Sequence, residues 1–214
     1  MRRVLLADDH KLMLEGLIGI LKHEYEIAGT AENGRVLLEQ ARRVKPDLIL
    51  LDVSMPELNG IETARKLQET APEAKVVFVT QQLNPEYVRA AFQAGAMAYV
   101  AKQSAGSELL EALRLAIAGR YYVTPLVSPR EAHGAYMRAA KENPGSLFGA
   151  RLTPRQREVL QLIAEGKSGK EISMALNISV KTVEFHRNAI VNALSLRTTA
   201  ELTRYAIAQG IVAA

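Results

Sequence analysis

Four short apolar runs each end on a chemically active residue, and their spacing leaves few folds open. Residues 4–7 lead into Asp8-Asp9, residues 48–51 into Asp52, residues 76–79 into Thr80, and residues 97–101 into Lys102. Runs of four or five apolar, partly β-branched residues separated by amphipathic stretches of helical length are the pattern of buried parallel strands. Helical apolar spacing recurs at 12–21, 36–41, 61–67, 87–92 and 109–117. Five such rounds predict a doubly wound α/β sheet of flavodoxin-like order, (βα)5. In an open sheet of that kind the loops at the carboxyl ends of the strands converge on one crevice. Three carboxylates, a hydroxyl and an ammonium are therefore expected to meet there.

Chemistry narrows what such a cluster does. Crowded carboxylates repel, so one takes a proton or a cation joins them. Oxygen ligands that leave room for water and phosphate suit Mg²⁺. A carboxylate is also a nucleophile towards phosphorus. Asp52, alone at its strand end, is the expected nucleophile, and the adjacent Asp8 and Asp9 are placed to hold the metal. Lys102 would offset phosphoryl charge and Thr80 would donate to a phosphate oxygen. Taken singly, each residue has a blander reading: a helix cap for an aspartate, a satisfied strand-end hydroxyl for Thr80, a surface charge for Lys102. His10, at the head of the first helix, reads as a cap or surface residue. Joint occurrence at four strand ends favours the functional reading.

The segments LLADDH, LILLDVSMPELNG, VVFVTQ and AYVAK resemble the receiver domain of two-component response regulators across about residues 1–119. The resemblance implies that Asp52 is the phosphoacceptor, that Asp8, Asp9, Asp52 and the backbone carbonyl of Ser54 hold Mg²⁺, and that Thr80 and Tyr99 form the switch with Lys102. It also implies that the chain is no enzyme beyond phosphorylating and dephosphorylating itself at Asp52. Where the family has a small residue after the switch threonine this chain has Gln81, which is expected to narrow access to Asp52.

Beyond residue 120 the pattern changes. Pro125, Pro129, Pro144, Gly145 and Gly149 punctuate a stretch without strand signal, in which residues 130–142 could form a short helix. The expected division is a receiver at 1–120, a linker at 121–150 and a second domain at 151–214. From Leu152 onward only short helices are predicted. Thr153 to Gln156 and Thr198 to Glu201 read as capping boxes, and Gly166 and Gly210 end helices. Ile172, Ala175 and Leu176 are expected to face inward on the second of these helices. Val183, Ile190 and Leu194 mark the buried side of the third, with Lys181, Glu184, Phe185, Asn188 and Asn192 on the opposite arc.

Two helices joined by a three-residue turn, the second exposed, form a helix-turn-helix. Asn188 suits an adenine edge, Glu184 a cytosine amine and Phe185 a thymine methyl. Lys170, Lys181 and Arg187 would reach phosphates. Charge agrees: residues 1–120 carry net −1 and residues 151–214 net +4. The run LTPRQREVLQLIAEGKSGKEISMALNISVKTVEFHRNAI resembles a LuxR-type helix-turn-helix, with Thr182, Val183 and His186 in the core motif of its recognition helix. Gly169 stands where that family has Asn.

With the receiver in front, the chain resembles a NarL/FixJ-type response regulator. The resemblance implies a sensor histidine kinase as phosphodonor, double-stranded promoter DNA as target, and a homodimer on that DNA through Thr199–Ala208. It also implies that phosphorylation frees the recognition helix from the receiver. Two other readings compete: a phosphatase acting on outside substrates, for which Ser54 is a poor acid two residues from Asp52, and a phosphorylation-independent adaptor whose helical domain binds protein. Cysteine is absent, so no disulfide framework exists. No apolar run is long enough to span a bilayer, and the short apolar start does not resemble a signal peptide. A cytoplasmic chain without membrane association is expected.

Overall fold

The computed structural model describes residues 1–127 and 152–212. The helix expected at 130–142 lies outside the described residues. The first region is a parallel sheet of order β2-β1-β3-β4-β5-β6. Its elements are β1 (Arg2–Ala7), α1 (Lys11–Leu21), β2 (Tyr25–Ala31), α2 (Gly34–Val44), β3 (Leu48–Leu51), α3 (Gly60–Thr70), β4 (Lys75–Thr80), α4 (Pro85–Gln93), β5 (Ala96–Ala101), α5 (Ala105–Ile117) and β6 (Tyr122–Val123).

The first five strands follow the expected flavodoxin-like order, and each apolar run is a strand buried on both faces. One face packs against α2, α3 and α4 through residues such as Leu37, Leu67 and Phe92. The other packs against α1 and α5 through Leu17, Leu109 and Leu113. Two strands lack the apolar run. β2 is an edge strand with only Tyr25 and Ala31 fully buried, and its register with β1 shifts between Val4 and Leu5. β6 adds a sixth strand where the sequence suggests loosening into a linker. Tyr122 and Val123 pair with Ala98 and Tyr99, so the sheet runs past residue 120.

Four helices form the second region: α6 (Pro154–Ala164), α7 (Gly169–Leu176), α8 (Val180–Leu194) and α9 (Thr199–Ala208). Capping boxes open α6, α7 and α9 at Thr153, Ser168 and Thr198. Ser179 caps α8 by accepting from the Thr182 amide. Val159, Leu160, Ile172, Val183, Ile190 and Leu202 share one core. Ala175 is exposed, contrary to its expected inward position. α7 has only two turns, so Ile172 and Leu176 exhaust its inward face.

The two regions touch, and the contact explains an anomaly in α6. Arg157, Glu158 and Gln161 are buried alongside its apolar stripe, because a second face of α6 packs on the receiver-like region.

Candidate phosphoryl site and nucleic-acid interface

The ends of β1, β3, β4 and β5 bring Asp8, Asp52, Thr80 and Lys102 together. The amide of Asp52 donates to the Ala7 carbonyl, and that of Asp8 to Ala31, so the strand ladder itself fixes where the carboxylates begin. Lys102, on a 3₁₀ turn directly after β5, places its Nζ 2.6 Å from Asp52 Oδ2 and 2.7 Å from Asp8 Oδ2. Asp52 is only 3% exposed. Burial pushes its carboxyl above the usual range, opposed by Lys102 and then the Thr80 hydroxyl. Burial works to lower the Lys102 pKa, but its bonds and attraction to Asp52 and Asp8 prevail and raise it. The ammonium therefore stays charged.

Asp9 is the exposed member of the cluster. The His10 ring, which the sequence places at the surface, does start α1 and is exposed, yet its Nδ1 also lies 2.8 Å from Asp9 and 3.2 Å from Asp8. Asp8, Asp9, His10 and Asp52 offer ligand atoms within 4.8 Å of one another. The Oδ1 of Asp52 is buried with no hydrogen-bond partner among the described residues. An acceptor left unmatched in that position costs free energy unless a cation or donor meets it. The donor set, mainly carboxylate oxygen, fits a hard divalent ion.

Ser54 is half-buried just beyond Asp52. Tyr99 is fully buried, and its hydroxyl donates to the Gln82 carbonyl at 2.6 Å. Burial, then the nearby Asp52 charge, raises its pKa well above the ordinary tyrosine range. Gln82 was not singled out by sequence. Its amide donates to Thr80 Oγ1 and its side chain to Ser54 Oγ, tying the loops after β3 and β4. Gln81 is exposed and lines a cleft of about 610 Å³ with His10, Thr80 and Lys102. An amide next to the expected switch residue was visible in sequence, but not which of two glutamines turns inward.

On α8, Val183 and Ile190 are buried, while Lys181, Glu184, Phe185, Asn188 and Asn192 are exposed, as the helical spacing predicts. Phe185 is 68% exposed. Lys170 is exposed on α7, and Arg187 is half-buried with its guanidinium near Thr199 Oγ1. Thr182 turns its hydroxyl to Ser179 at 2.8 Å, a capping contact within the helix start.

Among the described residues the contact between regions uses α6 and the segment after α9, and the polar arc of α8 is exposed. Arg157 pairs with Glu62 at 2.6 Å, and Glu158 with Lys66 at 2.8 Å. Gln161 bonds both Met55 and Asn59. Buried charge and amide pairs of this kind need their partners in place, and those partners sit on α6. At the other end, Gly210 follows α9 with φ +64°, and the Tyr87 hydroxyl of α4 occupies the space a Cβ would fill.

Residues 4–114 match the response regulator receiver domain, and residues 150–206 match the bacterial regulatory proteins of the luxR family. The transcriptional regulatory protein MctR of Rhizobium johnstonii is 35% identical over 98% of this chain and 95% of its own length. The response regulator GacA of Pseudomonas aeruginosa is 33% identical over 99% and 98% respectively. Among solved structures, the RcsB response regulator of Salmonella typhimurium superposes with a TM-score of 0.64 at 25% identity, covering 95% of this chain and 96% of that one. RcsB bound to promoter rprA with the phosphomimetic BeF₃⁻ gives 0.54 at 25% identity, covering 96% and 98%. A receiver fold with its acidic cluster at the strand ends, followed by a LuxR-type helix-turn-helix, places this chain in the family of two-component response regulators of the NarL/FixJ type.

Proposed function

We propose that Asp52 accepts a phosphoryl group from a sensor histidine kinase, and that the modification controls binding of the helix-turn-helix to promoter DNA as a homodimer. The observation that carries this reading is the orphaned Asp52 Oδ1 beside a charged Lys102. One carboxylate oxygen is neutralised by the ammonium while the other is free to act. Asp8, Asp9, Asp52 and the Ser54 carbonyl would hold Mg²⁺, which when bound offsets charge on the phosphoryl oxygens. In the transfer an Asp52 oxygen forms a bond to phosphorus as the bond to the donor breaks, and the donor leaves with that electron pair. Lys102 then faces the new anion, and Thr80 offers it a hydroxyl. Tyr99, Thr80 and Gln82 form one hydrogen-bonded unit, so a pull on Thr80 is felt at the start of α4.

At the DNA, Glu184, Phe185 and Asn188 would meet base edges, with Lys170, Lys181, Thr182 and Arg187 at the backbone. RcsB bound to promoter rprA supports, by analogy, promoter DNA as the target. A second domain beginning at about 151 remains part of this reading, with the first domain extended through β6, as do activity limited to Asp52 and a cytoplasmic setting. Among the described residues no helix is long and apolar enough to cross a membrane.

Acetyl phosphate and Mg²⁺ should add one phosphoryl group to the full chain by intact mass and strengthen its retention on selected DNA. Asp52→Asn should lose both effects. Regulated DNA binding that survives in Asp52→Asn would refute the reading, and DNA retention absent even at low salt would favour a protein-binding adaptor.

A further inference from the structure

The loop between Asp52 and α3 is held from outside its own domain. Gln161 on α6 donates from Nε2 to the Met55 carbonyl at 2.9 Å and accepts from the Asn59 amide at 3.0 Å. Its Oε1 also lies 3.2 Å from Asn59 Nδ2. Four residues further on, Glu165 accepts from the Glu57 amide at 3.0 Å and from Gln161 Nε2 at 2.8 Å. One turn of a helix from the DNA-binding half thus makes hydrogen bonds at positions 55, 57 and 59. Gln161 is 1% exposed and Asn59 4%, so while the regions are docked these bonds are shielded from competing water.

The loop needs that support. Glu57 sits at φ +63°, a left-handed conformation that costs a side-chain-bearing residue free energy unless its surroundings hold it. Its amide is the one Glu165 accepts from. Ser54, whose carbonyl is the proposed fourth metal ligand, directly precedes Met55. A cleft of about 260 Å³ separates Asp9, Ser54 and Pro56 from Glu165, Thr203 and Ile207, so the helical region also roofs the mouth of the acidic cluster.

We infer that Gln161, with Glu165, is a positioning residue for the metal-binding loop, so that docking of the helical domain and loading of the Asp52 pocket with a divalent ion strengthen each other. This rests on the Asp52 pocket being the Mg²⁺ site proposed above. Coupling between two sites is reciprocal: side chains that hold residues 54–59 in the ligating shape raise metal affinity, and metal that fixes the loop strengthens its grip on α6. It gives the pocket a route to the DNA-binding half that does not pass through Thr80 and Tyr99.

The test uses the full chain and Mg²⁺ alone. Calorimetric titration should show Gln161→Ala binding Mg²⁺ about tenfold more weakly than the parent, within the usual range of coupling between sites. Glu165→Ala should shift the same way and supplies the comparison if the first variant does not fold. Saturating Mg²⁺ should slow amide hydrogen exchange in α6 of the parent chain but not of Gln161→Ala, a response that a merely structural role would not produce. Equal Mg²⁺ affinities in parent and variants, or parent α6 exchange indifferent to Mg²⁺, overturn the coupling while leaving the pocket intact. A parent chain that binds no Mg²⁺ overturns the pocket reading and the coupling together.

Discussion

At Gly60 a Cβ would stand 1.9 Å from the Asp52 carbonyl oxygen and 3.1 Å from the Phe78 ring. Both neighbours belong to buried strands or their ends, so neither can retreat without shifting the loop. Gly60→Ala should therefore destabilise the chain by more than about 2 kcal/mol, read as a lower denaturant midpoint. It should also impair acetyl phosphate labelling, because the displaced atom belongs to the nucleophile's own backbone. Single residues were legible in sequence where type and place coincided: Asp8, Asp52, Thr80 and Lys102 each close an apolar run, and strand geometry does the rest. Gln82 and Gln161 were not, because an amide on a polar face looks the same whether it meets water or another chain segment.

Elements follow their local chemistry where that chemistry is strong. The boxes at Thr153 and Thr198 appear as expected, each with a glutamine or glutamate answering three residues on. Thr198→Ala removes an acceptor for the Glu201 amide and should cost about 1 kcal/mol, seen as a drop in Tm. β2 takes its place in the expected (βα)5 order without an apolar run of its own, since it is an edge strand, whereas β6 escaped because it contributes only two residues. On α8 the two contact types separate experimentally. Lys181→Ala should weaken DNA binding across sequences and reduce the salt slope by about 1, whereas Phe185→Ala should weaken selected sites while leaving that slope unchanged.

For the molecule as a whole, the docked arrangement depends on charges buried between the two regions. In Arg157→Ala the Glu62 carboxylate keeps, among the described residues, only Arg65 at 3.5 Å, and a buried charge that loses its pairing is costly. Small-angle scattering should then show a larger radius of gyration than for the parent. Burial pushes the Glu158 carboxyl up, yet Lys66, then Arg155 and Arg35, outweigh it and hold it below the usual range. A depressed folded pKa contributes stability above the unfolded value and loses it as pH falls. Docking should therefore loosen below about pH 4.3, measurable by the same scattering. Glu165 works the other way: burial raises its carboxyl, so its contribution fades as pH rises through the shifted value. The fold of each region was readable from periodicity, but the face they share was not. Nothing in the spacing of Arg157, Glu158 and Gln161 separates a docking face from a solvated one.

Because the polar arc of α8 is exposed while the regions are docked, a resting copy on the proposed reading has none of the described residues folded over its reading head. It can already sample duplex by weak, salt-sensitive contacts, sliding before any signal arrives. Activation would then act chiefly on how long a pair of copies stays at a site, and a resting population would be found spread along the chromosome rather than held away from it.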